Sequence, residues 1–369
     1  MPTFIKVAVW NVKSEVGSAA SDPRDLANFT SLLKWQDRLQ LLRAVVGAAD
    51  RAMPMPGALP PGTHALRLFL APEYFFSESC NRHVMDYETR GQVVQGMAKL
   101  SGDFPHMLLM PGTVAYFKPL VDKGLEGRRL KADPNHQSRV VKYAGYFTAG
   151  EEKSTYLAHN TAYAFYGGQQ VFKYRKMLDC AELNAQDLKA GKVMVFAIGS
   201  TVGVFNFNQA GQALRIGVEI CADHDNGQLS KGGVTNLDLQ VVLSASTGLK
   251  KDFAVLREGG CLFHCDAGES TVDGKRRAWQ RVAGVLVDLR AAGGPPPAPS
   301  ERIDPLTRPE LADLKKKTAK LDTAFEKAQA RQVSGTLDKD KAKAYAQSKA
   351  SQYLQTRGGT VHFFEATIP

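Results

Sequence analysis

Long apolar runs are missing from this chain. Nowhere does it hold the roughly 18 consecutive apolar residues that a membrane-spanning helix needs. The opening Met1-Pro-Thr-Phe-Ile-Lys-Val7 enters a strand pattern without a signal-like hydrophobic region, so a cytoplasmic protein with no membrane partner is expected. Cysteine is too sparse for a disulfide framework: Cys80, Cys180, Cys221, Cys261 and Cys265 are an odd number in 369 residues and are expected to be reduced thiols. Acidic residues are in deficit, 37 Asp and Glu against 47 Lys and Arg, giving a net charge of +10. No basic stretch is interleaved with aromatics as a nucleic-acid stacking platform requires, so the excess reads as an anion-attracting surface and no nucleic-acid partner is expected. Internal repeats are absent as well.

What is present is enough apolar material, 44% of residues, to bury a large α/β core. Ile5 to Val12 reads as a strand, and Trp35, Leu39, Leu42 and Val46 fall on one face of the helix after it. Four prolines in Met53 to Gly62 prevent regular structure there. A helix over Asp86 to Leu100, with Val93, Met97 and Leu100 on one face, precedes a strand over His106 to Tyr116. Residues 118 to 139 turn charged and rich in turn signals, and read as an insertion near a cleft mouth. Strands are expected over Val140 to Phe147, Thr161 to Tyr166 and Val171 to Tyr174, the last two joined at Gly167-Gly168 as a hairpin. Val193 to Phe207, Leu214 to Ile220 and Leu239 to Leu243 read as further strands, Asp252 to Glu258 as a helix and Cys261 to Cys265 as a strand.

Three strand ends carry chemistry. Leu214, Ile216, Val218 and Ile220 alternate, and the polar cluster after Cys221 stops the strand, so the thiol stands at a corner held by a rigid sheet. Arg67-Leu-Phe-Leu-Ala-Pro-Glu73-Tyr-Phe-Phe76 is an apolar strand ending in one carboxylate among aromatics. Desolvation there raises a carboxyl pKa and suits it to proton transfer near neutral pH. Gln169-Gln-Val-Phe-Lys-Tyr-Arg-Lys176 closes on two cations, one of which could serve as an oxyanion donor.

In the order Glu, Lys, Cys, these residues resemble the nitrilase superfamily, the carbon–nitrogen hydrolases. Ala158-His-Asn160-Thr-Ala, Gly167-Gly168 and Tyr174-Arg175-Lys176 fall in the order of that family's lysine block, and Gly217-Val-Glu-Ile-Cys221-Ala-Asp223 is similar to its nucleophile block. Leu109-Met-Pro-Gly112-Thr113 matches its preceding glycine strand. Val255-Leu-Arg257-Glu258 and Asp266-Ala-Gly268 resemble its closing elements, with Asp266 where an Asn is usual. The resemblance covers about residues 4 to 290 and implies an α/β fold, a four-layer αββα sandwich, here with a C-terminal helical arm. The expected organisation is a catalytic domain over 1–290, a Pro/Gly linker over 291–300, a charged helical hairpin over 301–357 and a strand over 358–369.

It also implies a mechanism: Glu73 as base, Lys176 as oxyanion donor and Cys221 as nucleophile, opening an amide or nitrile through a thioester or thioimidate. Glu182 matches the family's second glutamate, with Asp179 as competitor. Tyr74, Asp223 and Ser244 are candidate substrate contacts. No cofactor is implied. The expected partner is a small-molecule amide or nitrile, with the basic balance favouring a carboxylated one, and because subunits of the family commonly pair, a homodimer or higher homo-oligomer is expected. An amide or carbamoyl substrate is favoured over a nitrile because Ala222 and Asp223 stand where nitrile-cleaving relatives more often carry Trp-Glu. Acyl transfer to an amine, or a catalytically idle binding protein, are the other readings. Two rivals use the same cysteines: a thiol–imidazole pair of Cys221 with His224 or His264, and a metal held by Cys261, His264 and Cys265. The second lacks another ligand pair, and in a strand His264 points away from both cysteines.

Overall fold

Apolar side chains on both faces make β1 (Thr3–Asn11) a doubly buried strand: Ile5, Val7 and Val9 face one core, and Ala8 and Trp10 face another. The computed structural model describes residues 2–12, 14, 35–54, 57, 61–76, 84–119, 155–178, 193–199, 201–209, 212–245, 247–267, 278–289 and 360–369. These form a mixed α/β molecule with two sheets and few helices. None of the described helices is long and apolar enough to cross a membrane.

Among the described residues the first sheet has nine strands. β1 runs parallel to β2 (His64–Ala71), and β2 parallel to β4 (Met107–Pro111). The strand β15 (Thr360–Ile368) lies antiparallel on β1. β4 borders β6 (Thr155–Tyr166), which also pairs with β5 (Thr113–Pro119), β7 (Gln169–Arg175) and β8 (Val193–Phe196), while the short β3 (Met85–Asp86) lies on β5. The second sheet has six strands, ordered β14-β13-β12-β11-β10-β9. They are β9 (Val204–Gln209), β10 (Gln212–Ile220), β11 (Leu237–Ser244), β12 (Leu256–Asp266), β13 (Ala278–Val282) and β14 (Val285–Asp288), with β10, β11 and β12 mutually parallel.

The two sheets meet in one buried cluster: Val7, Leu68 and Leu108 from the first pack with Val218, Val241 and Phe263 from the second. The outer face of the first sheet is covered by α1 (Trp35–Ala52) and α2 (Tyr87–Asp103). Trp35, Leu39, Leu42 and Val46 join that core as their spacing requires. Asp86 caps α2 by accepting from the Thr89 backbone N–H at 2.7 Å, and Val93, Met97 and Leu100 are its buried stripe. Two four-residue helices, α3 (Ala222–Asp225) and α4 (Gln228–Lys231), follow β10.

Three sequence expectations are corrected. The strand expected over His106 to Tyr116 is two strands, because Gly112 between them takes φ +83°, where a Cβ would stand 2.4 Å from the Pro72 carbonyl oxygen. The run Val193 to Phe207 is likewise two strands, β8 and β9, which belong to different sheets. The helix expected over Asp252 to Glu258 is a single 3₁₀ turn, Lys251–Phe253, followed by β12. Its apolar residues continue in strand period through Cys261, Phe263 and Cys265, and pairing with β11 overrides the local helical reading. The strand Val140 to Phe147, the 118–139 insertion beyond Pro119, the 291–300 linker and the 301–357 arm lie outside the described residues.

Candidate active site

Glu73 follows β2 on a turn that is fixed from several sides. The Tyr74 backbone N–H donates to Thr113 Oγ1 at 2.9 Å, the Phe76 N–H to the Thr113 carbonyl at 3.2 Å, and buried Arg38 of α1 donates to the Phe75 carbonyl at 2.8 Å. Ser14 Oγ donates to the carbonyl of Glu73 itself. Gly112 belongs to the same arrangement, since only a residue without a Cβ lets the Pro72–Phe75 turn settle onto the β4–β5 junction. Tyr74 pays for this with φ 58°, a left-handed conformation uncommon outside glycine.

Lys176 lies just past β7. Its backbone N–H donates to the Asn160 carbonyl at 2.9 Å, and its own carbonyl accepts from Gly199 at 2.9 Å. The side chain is fully buried, as is Glu73, and Nζ donates to Glu73 Oε1 at 2.9 Å, with the Tyr74 ring centroid 6.0 Å away. Asn160 Nδ2 donates to the same oxygen at 2.7 Å. On β6, Asn160 alternates with Ala162 and Ala164, which face the core between the sheets, so this amide is a polar group on an otherwise apolar inward face. Burial pushes the Glu73 carboxyl up; the Lys176 charge and hydrogen bond oppose the shift, followed by hydrogen bonds from Cys221 and Asn160.

Cys221 comes from the other sheet, at the end of β10. It is buried, takes φ 48° and ψ −110°, and is tied by its N–H to the Leu243 carbonyl at 2.9 Å, while its own carbonyl accepts from His224 and Asp225. Its thiol thus interacts with the Glu73 carboxylate on one side and lies 2.8 Å from Thr247 Oγ1 on the other. The structure brings Glu73, Lys176 and Cys221 into one buried cluster built from both sheets, with Tyr74 against the lysine. Of two further residues in contact with this cluster, Asn160 was quoted from sequence only within the lysine block and Thr247 was not singled out; for Asn160 the signal available was a lone polar residue on an inward strand face.

Asp223 has its carboxylate occupied: Tyr174 Oη donates to Oδ2 at 2.8 Å and the Leu178 N–H to Oδ1 at 2.9 Å, so it latches the segment after Lys176 to the corner after Cys221. Burial pushes its pKa up to about 7, against the opposing pull of Tyr174, Lys176 and the two backbone donors. A carboxyl with a raised folded pKa binds protons more tightly in the folded state. Its contribution is therefore greatest at low pH and declines as pH rises from the ordinary 3.8 to about 7. Asp223→Asn, which keeps an acceptor but cannot ionise, should gain in melting temperature relative to wild type as pH goes from about 4 to about 7. Calorimetry across that window checks this, and a constant difference would refute it.

The rival pairings do not converge. His224 accepts from the Lys250 N–H at Nε2, 3.1 Å, so its proton sits on Nδ1 and is given to Glu219 at 2.7 Å. Glu219 is a buried hub that also accepts from Leu229 and Gln240. Ser244 alternates with Leu243 on β11 and so lies on the face away from the inter-sheet core, where its Oγ bonds Asp266 at 2.9 Å and His264 at 2.7 Å. Cys261 and Cys265 face that core, with the Cys261 thiol pushed up to about 12 by burial, so they do not meet His264. No His, Cys, Asp and Glu group among the described residues could hold a metal ion. Glu182, Asp179, Cys80 and Cys180 lie outside the described residues.

No family model matches this chain, and no curated protein does. Among solved structures it is similar to a Cys-to-Ala mutant of the amidase from Nesterenkonia sp. AN1 in complex with butyramide, at 13% identity and a TM-score of 0.35 over 72% of this chain and 76% of that one. It is also similar to the glutamine-dependent NAD(+) synthetase of Cytophaga hutchinsonii, at 10% identity and a TM-score of 0.34 over 78% of this chain and 40% of that one. A third is the glutamine-dependent NAD+ synthetase of Acinetobacter baumannii in complex with ADP, at 13% identity and 0.35 over 71% of this chain and 38% of that one.

Proposed function

We propose that the chain is a carbon–nitrogen hydrolase of the nitrilase superfamily, acting on the amide or carbamoyl group of a small molecule through a thioester on Cys221. The observation that carries this reading is the fully buried Glu73–Lys176 pair in contact with a thiol at a strained strand end. An ordinary thiol is only a few per cent ionised at neutral pH, and a carboxylate with a raised pKa beside it is a competent base. Glu73 Oε1 holds Lys176 and Asn160, which leaves Oε2 to take the thiol proton as Sγ adds to the substrate carbonyl carbon. The oxyanion so formed is met by Lys176 Nζ and the Ala222 N–H, each such donor being worth about 3 kcal/mol. As the C–N bond breaks, Glu73 returns the proton to nitrogen and the amine leaves. Water then gives a proton to Glu73 and adds to the thioester, the C–S bond breaks to release the acid, and Glu73 passes its proton to the departing Cys221 sulfur.

Under this reading the helix–sheet–sheet arrangement is part of a four-layer αββα sandwich, Tyr74 lines the substrate pocket and Glu182 serves as the family's second glutamate. The protein is cytoplasmic and pairs as a homodimer through a helical face; light scattering at micromolar concentration is expected to return a dimer, and a monomer would remove that part. The substrate carries a carboxylate drawn in by the basic surface, an attraction that salt weakens. The deciding experiment is a panel of paired amides and nitriles, carboxylated and neutral, with ammonia release followed at low and high ionic strength. Each carboxylated amide is expected to turn over faster than its nitrile, and faster still at low salt. Faster nitrile turnover overturns the substrate class. An acyl adduct of Cys221 that only an added amine discharges makes the protein a transferase, and the absence of any adduct makes it a binding protein.

A further inference from the structure

We propose that Thr247 is a further catalytic residue, its hydroxyl donating a hydrogen bond to the Cys221 sulfur whenever that sulfur carries negative charge. This rests on the reading of Cys221 as nucleophile. Thr247 lies on the loop after β11, 8% exposed, with Oγ1 2.8 Å from Sγ, which is itself 7% exposed. The same hydroxyl reaches the Asp225 carboxylate at 3.4 Å. It has one proton to give. With the sulfur as a neutral thiol whose own proton is turned to Glu73, Asp225 is the charged acceptor available to the hydroxyl. Once Glu73 has taken that proton, the thiolate is both charged and the nearer acceptor, and the hydroxyl turns to it.

The geometry holds the threonine to this task. The 247–250 loop is stitched to the 221–225 corner at its far end, where the Lys250 N–H donates to His224 Nε2 at 3.1 Å and Lys250 Nζ donates to the Asp225 carbonyl at 2.9 Å. Lys250 Nζ also stands 3.5 Å from Asp225 Oδ1, so the partly exposed carboxylate that competes for the hydroxyl is itself paired. No proton leaves Thr247 at any point. The hydroxyl turns to sulfur as the thiolate forms, is released as the C–S bond forms and the charge disappears, and turns to sulfur again when the thioester breaks and the thiolate departs. The charged or titratable groups around the sulfur are Glu73 and Lys176 from the first sheet and Asp225 and Lys250 from the second. Asp223, Tyr174 and Glu219 are engaged with one another or with backbone and His224.

The test needs no substrate. Alkylation of Cys221 by iodoacetamide is followed across pH in the full chain by mass spectrometry of the Cys221 peptide, in wild type, Thr247→Val and Thr247→Ser. Loss of a hydrogen bond to a charged group is expected to move the alkylation midpoint of Thr247→Val up by about one pH unit, a roughly tenfold slower reaction below the midpoint. Thr247→Ser is expected to keep the wild-type midpoint. Thr247→Ala gives the same readout as Val if the added methyl is not accommodated. A Val or Ala profile that superimposes on wild type overturns the proposal, as does a Ser profile that follows Val. On an amide that the enzyme turns over, Thr247→Val should lower kcat by about tenfold with KM little changed. A chain with no turnover but a shifted alkylation profile keeps the hydrogen bond from Thr247 to the thiolate and loses both the hydrolase reading and the catalytic role.

Discussion

Cys221→Ala is expected to abolish turnover, by at least about 10⁴-fold, while leaving the protein folded. Cys221 stands at the end of β10 and loses one sulfur atom, so little packed volume goes with it. Backbone conformation allows a sharper version of this prediction. At φ 48° and ψ −110° the residue occupies a region that favours glycine, and a side chain there costs about 1–3 kcal/mol. Cys221→Gly should therefore be equally inactive but more stable than Cys221→Ala, as read by chemical denaturation. Cys221→Ser should be nearly inactive too, since its weaker acid is not activated by the same base. Turnover retained in a folded Cys221→Ala protein would falsify the proposed chemistry. A glycine variant less stable than the alanine one would show that the corner is not strained.

Lys176→Met removes two things at once. An oxyanion donor is lost, worth about 10²–10³ in kcat, and Glu73 loses its counterion. Burial already pushes that carboxyl up and Lys176 is the strongest opposing influence, so without it Glu73 moves further up and is a poorer acceptor for the thiol proton. The expected result is a fall in kcat beyond the donor loss alone, with the acid limb of the pH–rate profile displaced to higher pH and KM little changed. Protonation also relieves the cost of an unpaired buried charge, so the variant should stay folded below the displaced pKa and weaken above it. A change confined to KM would make Lys176 a substrate-binding group.

The parts of this arrangement that were legible in the sequence are those written in local pattern. Alternation in Leu214 to Ile220, the stripe Trp35, Leu39, Leu42 and Val46, and the stripe Val93, Met97 and Leu100 each depend on neighbours within a few positions, and each appears as an element. Glu73 and Cys221 stood out because each ends an apolar strand, and Lys176 because it closes a strand on two adjacent cations. What stayed hidden depends on contacts between distant segments. Arg38 looks like a solvent-facing residue of α1 until the Phe75 carbonyl is brought to it. Asp223, read as a substrate contact, is bonded to Tyr174 and the backbone after Lys176, a partnership across the two sheets. Gly112 is an ordinary glycine until the Pro72–Phe75 turn lies against it.

Glu73 and Lys176 come from one sheet and Cys221 from the other, so under the proposed mechanism the distance across which a proton must pass is set by how far apart two packed layers stand. Two kinds of apolar interior therefore differ in what they tolerate. A change of volume beneath α1 and α2, at Leu42 or Val93, alters stability and leaves the reacting atoms where they are. The same change between the sheets, at Leu68 or Val241, alters the spacing of the layers and with it the alignment of acid and thiol. On the proposed mechanism, drift in the sequence of the inner core is constrained by rate, and drift in the outer core by folding alone.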